Sequence, residues 1–220
     1  MKQLFARLLL QSFALYVVIL FSTLMPTSAR VFAGDDTPPV ILVWGDSLSA
    51  AYGIPVEKGW VSLLQNKLGD RYKVINGSIS GETTIGGLTR LPDALETHQP
   101  DYLLLELGAN DGLRGLATDK MQENLKQIIE LTQEANAKPV LLGIKIPPNY
   151  GMVYTERFDK VFSDLAEQYT IPLLPFLLDR VALDYDLMQA DGLHPTADAQ
   201  PLILENVWAV LENVLQAEDE

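Results

Sequence analysis

The chain is poor in the side chains that most often carry metal, redox and acid–base chemistry. Its 220 residues contain no cysteine and only two histidines. The absence of cysteine excludes disulfides, thiolate nucleophiles and zinc sites with thiolate ligands. Any imidazole base must be His98 or His194, so a pattern around either histidine is informative.

Basic side chains are also scarce. The sequence has 16 Lys and Arg residues against 29 Asp and Glu residues, which gives a formal net charge of −13. A surface of this charge repels phosphate backbones and anionic lipid headgroups. We therefore expect no nucleic-acid partner.

A long hydrophobic run is confined to the N-terminus. Lys2 and Arg7 precede a nearly continuous apolar stretch at positions 8–25, and small and polar residues follow it. This order is typical of a signal peptide. We predict a signal peptide over residues 1–33, and of the two candidate cleavage sites, Ala29 and Ala33, we favour Ala33.

The alternative for this segment is an uncleaved membrane anchor, because the apolar stretch is close to the roughly 20 residues that span a bilayer. A lipid anchor is excluded, since no cysteine stands at the cleavage site. Cleavage would leave residues 34–220, which suit one domain. We expect this domain to be periplasmic or secreted, with no stable membrane insertion.

After the predicted signal peptide, short apolar runs alternate with segments of helical periodicity. In one such segment Met121, Leu125, Ile128 and Ile129 repeat at helical spacing. Apolar runs without polar alternation are typical of strands covered on both faces. The alternation of strand and helix indicates an α/β fold with a parallel, doubly wound sheet. The predicted strands are 40–44, 72–75, 102–107, 140–146 and 171–176.

Polar and glycine residues that could form an active site follow several of these strands. Segments 45–47, 76–81 and 108–111 come directly after the first three strands, and segment 191–194 lies between the last strand and the final helix. In an open parallel sheet, ligands bind beyond the carboxyl ends of the strands. We therefore expect these four segments to meet at one edge of the sheet.

Ser47 is the candidate nucleophile. Gly45 permits a tight turn out of the first strand, and we expect Ser47 to open a helix whose N-terminus stabilises developing negative charge. The backbone N–H of Ser47 is a natural donor to the oxyanion that forms when a carbonyl is attacked. The alternative is a serine that only caps a helix, so the role depends on the residues around it.

Gly81 and Asn110 are the candidates for further oxyanion donors. Gly81 lacks a Cβ, which lets the backbone approach a substrate, although it could also be an ordinary turn glycine. Asn110 offers a neutral donor that does not neutralise a nearby base, although Asn is also common in left-handed turns. We interpret Asp46 and Asp111 as carboxylates that cap and brace their own loops.

His194 is the candidate base, and Asp191, three residues earlier, is the candidate partner that orients it. Such a carboxylate fixes the tautomer of the imidazole and stabilises the imidazolium. Gly192 allows a sharp bend between the two residues. His98 lies in a polar connection between a helix and a strand, and we interpret it as a solvated loop residue.

Four blocks of sequence together resemble a known family. They occur in order along the chain as Gly45-Asp46-Ser47-Leu48-Ser49, Gly81 within segment 78–83, Gly108-Ala109-Asn110-Asp111, and Asp191-Gly192-Leu193-His194-Pro195. In this order they resemble the GDSL (SGNH) hydrolases, and most closely the bacterial periplasmic thioesterase I/lysophospholipase/arylesterase group. The resemblance covers almost all of residues 34–220.

The resemblance implies both a fold and a set of roles. The fold would be a three-layer α/β/α sandwich with a mostly parallel five-stranded, flavodoxin-like sheet. Ser47 would be the nucleophile, His194 the base and Asp191 its partner. Gly81 and Asn110 would complete the oxyanion hole.

The resemblance also implies a mobile loop at about residues 112–117, beside the acyl site. Two small departures from the family pattern are Ala109, where a second glycine is common, and Glu82, where a shorter side chain is frequent. Neither departure removes a catalytic group, so we expect them to affect substrate fit.

The leading hypothesis is a serine esterase without a cofactor or metal, which hydrolyses aryl esters, acyl thioesters and lysophospholipids through an acyl-serine intermediate. No assembly motif is visible, so we expect a monomer whose partner is a small-molecule substrate. A nicotinamide or flavin protein is disfavoured because no G-x-G-x-x-G follows the first strand.

Two rival hypotheses stay open. Asp46, Asp111, Asp191 and His194 could hold a divalent cation in a metal-dependent phosphoesterase, although this leaves Ser47 without a role. The same crevice could also serve a non-catalytic lipid-binding protein of the cell envelope.

Overall fold

The computed structural model describes residues 37–217. The predicted signal peptide at residues 1–33 lies outside this range. Within the described part of the chain, no helix is long and apolar enough to cross a membrane.

The sheet has five strands, all parallel, in the order β2-β1-β3-β4-β5. This is the predicted flavodoxin-like arrangement. The two last strands differ from the prediction: β4 begins and ends earlier than expected, and β5 is only two residues long, between Pro172 and Pro175, which cannot donate to a sheet. The strands are β1 (Val40–Gly45), β2 (Lys73–Asn76), β3 (Tyr102–Glu106), β4 (Lys138–Leu142) and β5 (Leu173–Leu174).

Helices cover both faces of the sheet and confirm the three-layer prediction. They are α1 (Trp60–Leu68), α2 (Thr84–His98), the short α3 (Ala109–Leu113), α4 (Thr118–Glu134), α5 (Met152–Tyr169) and α6 (Gln200–Gln216). Helix α1 packs against α6, whereas α4 packs against both α2 and α5. The right-handed crossovers of a parallel sheet produce this separation into two helical layers.

The core lies between the sheet and these helices. Its largest fully buried side chains include Trp44, Trp60, Tyr102 and Phe158. The apolar stripe predicted from helical spacing is confirmed, since all four of its members on α4 are buried. Strands β1 and β3 pair in the middle of the sheet and are buried along nearly their whole length. Their carboxyl ends provide a rigid base for the loops that follow.

Candidate active site

The segment that carries Ser47 leaves β1 as a turn rather than a helix. The N–H of Ala50 donates to the carbonyl of Asp46 (2.9 Å), but Ala51 then has a left-handed φ of 58°. A short 3-10 helix follows at Val56–Lys58, and the next α-helix begins only at Trp60. The expectation that Ser47 opens a helix was therefore wrong, and no helix N-terminus supports developing charge at this position.

The structure brings Ser47, His194 and Asp191 into one hydrogen-bonded chain. Ser47 Oγ lies 2.9 Å from His194 Nε2, and His194 Nδ1 lies 2.6 Å from Asp191 Oδ2. The side chains of His194 and Asp191 are 18% and 40% exposed, so of these two residues Asp191 is the more accessible to solvent. With Nδ1 protonated, Nε2 is free to accept the Ser47 proton.

Hydrogen bonds keep Asp191 ionised. His194 donates through its ring, and the backbone N–H groups of Leu193 (2.9 Å) and His194 (3.0 Å) donate to Asp191 Oδ1. These bonds, led by the one from the His194 side chain, lower the pKa of Asp191 to about 2. Gly192, at a φ of +66°, provides the bend that returns the chain onto the carboxylate. The predicted pair of Asp191 and His194 is thus held together within one four-residue turn.

Two residues that the sequence analysis did not single out hold the His194 loop against the nucleophile loop. The Tyr52 ring lies 4.5 Å from the His194 ring, centroid to centroid, at a tilt of 39°. Gln189 donates from Nε2 to the carbonyls of Tyr52 (2.9 Å) and Pro195 (3.0 Å). Gly53 leaves room for this contact, because a Cβ there would lie 2.3 Å from Gln189 Oε1.

Two backbone N–H groups are free to act as oxyanion donors. Within residues 37–217, the N–H groups of Ser47 and Gly81 have no hydrogen-bond acceptor. Gly81 has a φ of +80°, and a Cβ added there would meet only open space. Arg114 Nη2 donates to the Gly81 carbonyl (3.1 Å) and fixes the orientation of this residue.

Asn110 bridges the nucleophile loop and the Gly81 loop. Its Nδ2 donates to Asp46 Oδ2 (3.0 Å) and to the Glu82 carbonyl (2.9 Å). The Asn110 amide therefore spans from Asp46, next to Ser47, to Glu82, next to Gly81. An oxyanion there would compete with the neutral Glu82 carbonyl, and ionised acceptors form the stronger hydrogen bonds.

Glu82 supports the site from within the protein. Glu82 Oε2 accepts from Arg90 Nε (2.6 Å), and Oε1 accepts from the Thr83 N–H (3.1 Å). The carboxylate also lies over Gly86, where a Cβ would come within 1.9 Å of Oε1. Its longer side chain thus reaches a cation and leaves no room for a side chain at position 86. These contacts brace the Gly81 loop, and the expected effect of Glu82 on substrate fit stays a prediction.

Two fully buried carboxyl groups lie beneath the nucleophile loop. Asp46 accepts from the Leu48 N–H (3.0 Å) and from Asn110, in agreement with a loop-bracing role. Burial, the largest influence, raises the pKa of Asp46 to about 6. Glu106, at the end of β3, was missed by the sequence analysis, and burial together with the charge of Asp46 raises its pKa well above the ordinary range.

The residues of the rival metal site have other partners. Asp111 accepts from the N–H (2.9 Å) and the hydroxyl (2.6 Å) of Thr84, so it braces the start of α2, whereas we had expected it to brace its own loop. Among the described residues, no group of three or more His, Asp or Glu side chains has the arrangement of a metal site. The geometry therefore gives no support to the arrangement of Asp46, Asp111, Asp191 and His194 around a cation.

Two tyrosines hold the loop at residues 112–117. The Tyr150 hydroxyl donates to the Leu113 carbonyl (2.9 Å), and the Tyr154 hydroxyl donates to the Leu116 carbonyl (2.7 Å). Gly115 in this loop has a φ of +65°. The mobility of the loop stays a prediction. The other histidine, His98, was expected to be a solvated loop residue, but it is the last residue of α2 and is half-buried. Because α2 leads into the start of β3, His98 lies near the amino ends of the strands, whereas Ser47 follows the carboxyl end of β1.

Comparisons with known proteins place the chain among known hydrolases. The model of the GDSL-like Lipase/Acylhydrolase family matches residues 43–201. The chain is 48% identical over 178 residues to esterase TesA of Pseudomonas aeruginosa, covering 80% of this chain and 89% of that protein. It is 45% identical over 165 residues to thioesterase 1/protease 1/lysophospholipase L1 of Escherichia coli, covering 75% and 79%. The crystal structure of esterase EstA from Pseudoalteromonas sp., inhibited by monoethylphosphonate, superposes with a TM-score of 0.77 at 46% identity, covering 80% of this chain and 98% of that one.

Proposed function

The chain belongs to the GDSL-like lipase/acylhydrolase family, and on that premise we propose that it hydrolyses carboxylic esters and thioesters through an acyl-Ser47 intermediate. The observation that carries the proposal is the hydrogen-bonded chain from Ser47 Oγ through the His194 ring to Asp191. A serine, a base and an orienting carboxylate in this order are the parts of an activated nucleophile.

In the first half-reaction, Ser47 Oγ attacks the acyl carbon while its proton passes to His194 Nε2. Asp191, held ionised by its hydrogen bonds, stabilises the imidazolium that forms. When the tetrahedral intermediate collapses, the bond to the alcohol or thiol breaks, and His194 returns the proton to the leaving group. Water, activated by the same imidazole, then hydrolyses the acyl-serine.

The oxyanion would be held by the backbone N–H groups of Ser47 and Gly81 and by the Asn110 amide. The two backbone groups are unengaged among residues 37–217, so they need not break other hydrogen bonds. Asn110 would exchange its bond to the Glu82 carbonyl for one to the oxyanion while Asp46 continues to hold it. The two free backbone donors can lower the barrier without reorganisation during the reaction.

The substrate classes that we propose are aryl esters, acyl thioesters and lysophospholipids. The printed names of the related enzymes include esterase, arylesterase and thioesterase/lysophospholipase. In this chain, exposed apolar side chains lie on the loops that carry the site: Tyr52, Ile79, Leu116 and Leu193. Such side chains suit the apolar portion of an acyl ester.

The cellular setting belongs to the same proposal. A signal peptide at residues 1–33 would deliver a monomeric enzyme to the periplasm or the medium. The chemistry assigned to Ser47, His194 and Asp191 uses no metal or cofactor.

The test compares the wild-type protein with Ser47→Ala, in the presence of a chelator. We expect a fluorophosphonate probe to label the wild type and 4-nitrophenyl esters to turn over. Both signals should vanish in Ser47→Ala, with kcat falling by roughly 10⁴-fold or more, as removal of a serine nucleophile does elsewhere. Circular dichroism should show that the variant is folded.

Ser163→Ala is the matched control, because Ser163 lies on the exposed side of α5 and donates only to the Lys160 carbonyl. Wild-type turnover in Ser47→Ala would exclude the acyl-serine mechanism. Binding of acyl lipid by the folded wild type without labelling or turnover would instead favour the envelope lipid-binding protein. Loss of activity in chelator would favour the phosphoesterase.

A further inference from the structure

Glu106 is a fully buried carboxyl group that the proposed mechanism does not use. It ends β3, where the parallel register places it beside Gly45 at the end of β1. A Cβ on Gly45 would lie 2.6 Å from Glu106 Oε2. The missing side chain at position 45 therefore makes the space that the Glu106 carboxyl occupies, directly under the nucleophile loop.

Glu106 holds the nucleophile loop on both sides of Ser47. Its Oε2 accepts from the backbone N–H of Asp46 (3.2 Å) and from the hydroxyl of Ser49 (2.7 Å). Asn76 adds a third restraint, because its Nδ2 donates to the Ser49 carbonyl (2.8 Å). The main chain that carries Ser47 is thus fixed from the core, independently of His194.

The hydrogen bonds also indicate which of the two buried carboxyl groups carries a proton. Both oxygens of Asp46 accept N–H donors, from Leu48 and Asn110, so a proton on Asp46 would displace a donor. Glu106 Oε1, in contrast, has no hydrogen-bond partner within residues 37–217. Two adjacent carboxylates cannot both ionise in the interior without a large cost. The arrangement suits an ionised Asp46 and a protonated Glu106.

We propose that Glu106 is a positioning residue for Ser47: an uncharged carboxyl that fixes the nucleophile loop without placing a second negative charge beneath the oxyanion hole. The proposal rests on the proposed function of Ser47. The charge matters because the oxyanion would form close to Asp46 and Glu106, and a second buried carboxylate would repel its negative charge. The position matters because small displacements of a nucleophile lower the rate of attack.

The kinetic test compares Glu106→Gln with Glu106→Ala on a small, soluble 4-nitrophenyl ester. Gln keeps the acceptor oxygen and the neutral charge, so we expect kcat within about threefold of the wild type. Ala removes both bonds to the loop, so we expect kcat to fall by roughly 10- to 100-fold with little change in KM, and fluorophosphonate labelling to slow in parallel. If Glu106→Ala does not fold, Ser49→Ala replaces it, because this variant removes one of the two bonds and should lower kcat severalfold.

The second readout is the pH dependence of thermal unfolding. An acid whose pKa is raised in the folded state is protonated there but ionised in the unfolded chain, so stability falls as pH rises above its ordinary value of 4.5. Glu106→Gln cannot ionise. Its unfolding midpoint should therefore gain on that of the wild type as the pH rises from about 5 to about 8. The titratable neighbours are Asp46, which faces Glu106, and His194, which acts on Asp46, and both are retained in the variant.

Three results would overturn the proposal. The first is a folded Glu106→Gln that is as inactive as Glu106→Ala, and the second is a wild-type kcat in Glu106→Ala or in Ser49→Ala. The third is a difference in unfolding midpoint between the wild type and Glu106→Gln that does not change with pH. Ser47→Ala, measured beside them, separates this proposal from the proposed function. If Ser47→Ala is inactive but Glu106→Ala keeps the wild-type rate, the positioning role of Glu106 is excluded and the proposed function stands. A wild-type rate that does not depend on Ser47 excludes the proposed function, and the midpoints still report the proton on Glu106.

Discussion

Carboxyl groups lie on two sides of Ser47 in opposite environments. Asp191 sits in an exposed turn, where three hydrogen bonds from residues within three positions of it lower its pKa to about 2. Asp46 and Glu106 lie in the core, where burial raises the pKa of both groups. The exposed turn places an ionised carboxylate against His194, and the buried pair accepts hydrogen bonds from the loop that carries Ser47.

The difference follows from solvation. A carboxylate that keeps water on one side and gains N–H donors on the other loses little hydration, so its ionised form is favoured. A carboxylate in the core exchanges all of its hydration for a few donors, and each further charge nearby raises the cost. The same functional group, a carboxyl, can therefore carry a charge at Asp191 and, as we propose, act as a neutral acceptor at Glu106.

The largest expected effect comes from removing the charge of the exposed turn. Asp191→Asn keeps the size of the side chain but presents either an N–H or a neutral oxygen to His194 Nδ1. We expect kcat for 4-nitrophenyl esters to fall by roughly 10²- to 10⁴-fold, because the tautomer is no longer fixed and the imidazolium is no longer stabilised. Steady-state kinetics at neutral pH measure this effect.

Asp186→Asn is the matched control for this variant. Asp186 is an exposed carboxylate in the same connection between β5 and α6, and we expect its substitution to leave kcat unchanged. If Asp191→Asn retained more than half of the wild-type rate, the exposed turn would not provide the charge that the mechanism requires.

A smaller effect on kcat is expected at Asn110, the amide that contacts the buried Asp46 carboxylate. Asn110→Ala removes the amide that Asp46 holds between the two loops. We expect kcat to fall by roughly 10²- to 10³-fold with KM nearly constant, since the donor acts mainly on the oxyanion. Asn213→Ala on α6 is the control, because that amide only donates to a carbonyl of its own helix. An equal fall in both variants would show a general loss of folding rather than the loss of a donor.

The smallest effect concerns stability, and its sign separates the two environments. The lowered pKa of Asp191 stabilises the folded state above its ordinary value of 3.8, and this contribution is lost as the pH falls toward 2. The side chain is 40% exposed, so solvent screening limits the contribution to about 1 kcal/mol at most.

Thermal melts of the wild type and Asp191→Asn should therefore differ at neutral pH and converge in acid. The difference expected for Glu106→Gln has the opposite sign, because there the variant, rather than the wild type, becomes the more stable protein as the pH rises. Parallel curves for the wild type and Asp191→Asn down to about pH 2.5 would contradict the assignment of a stabilised charge to the exposed turn.

The part of the site that sequence could predict is the part built from local patterns. Apolar runs without alternation predicted the strands, and the three-residue spacing predicted that Asp191 would contact His194. The order of the polar segments at strand ends predicted that Ser47 would lie near them. Their roles in catalysis stay predictions.

The parts that sequence missed depend on contacts between distant segments. Glu106 is one polar residue within an apolar run, and its contact with the nucleophile loop follows from the register of β3 against Gly45. Gln189 meets Tyr52 across most of the chain, and no local pattern marks that pair. The helix expected at Ser47 fails because Ala51 turns left-handed directly after the first turn, an effect that helical periodicity does not report.

The most direct test of the central claim is to locate the acyl group during turnover. The wild type is mixed with a slowly deacylated 4-nitrophenyl ester, quenched in acid and digested, and the peptides are analysed by mass spectrometry. The account predicts the acyl mass on Ser47 alone, and its absence from Ser47→Ala. Turnover without an adduct, or an adduct on Ser49 instead, would contradict the acyl-Ser47 mechanism.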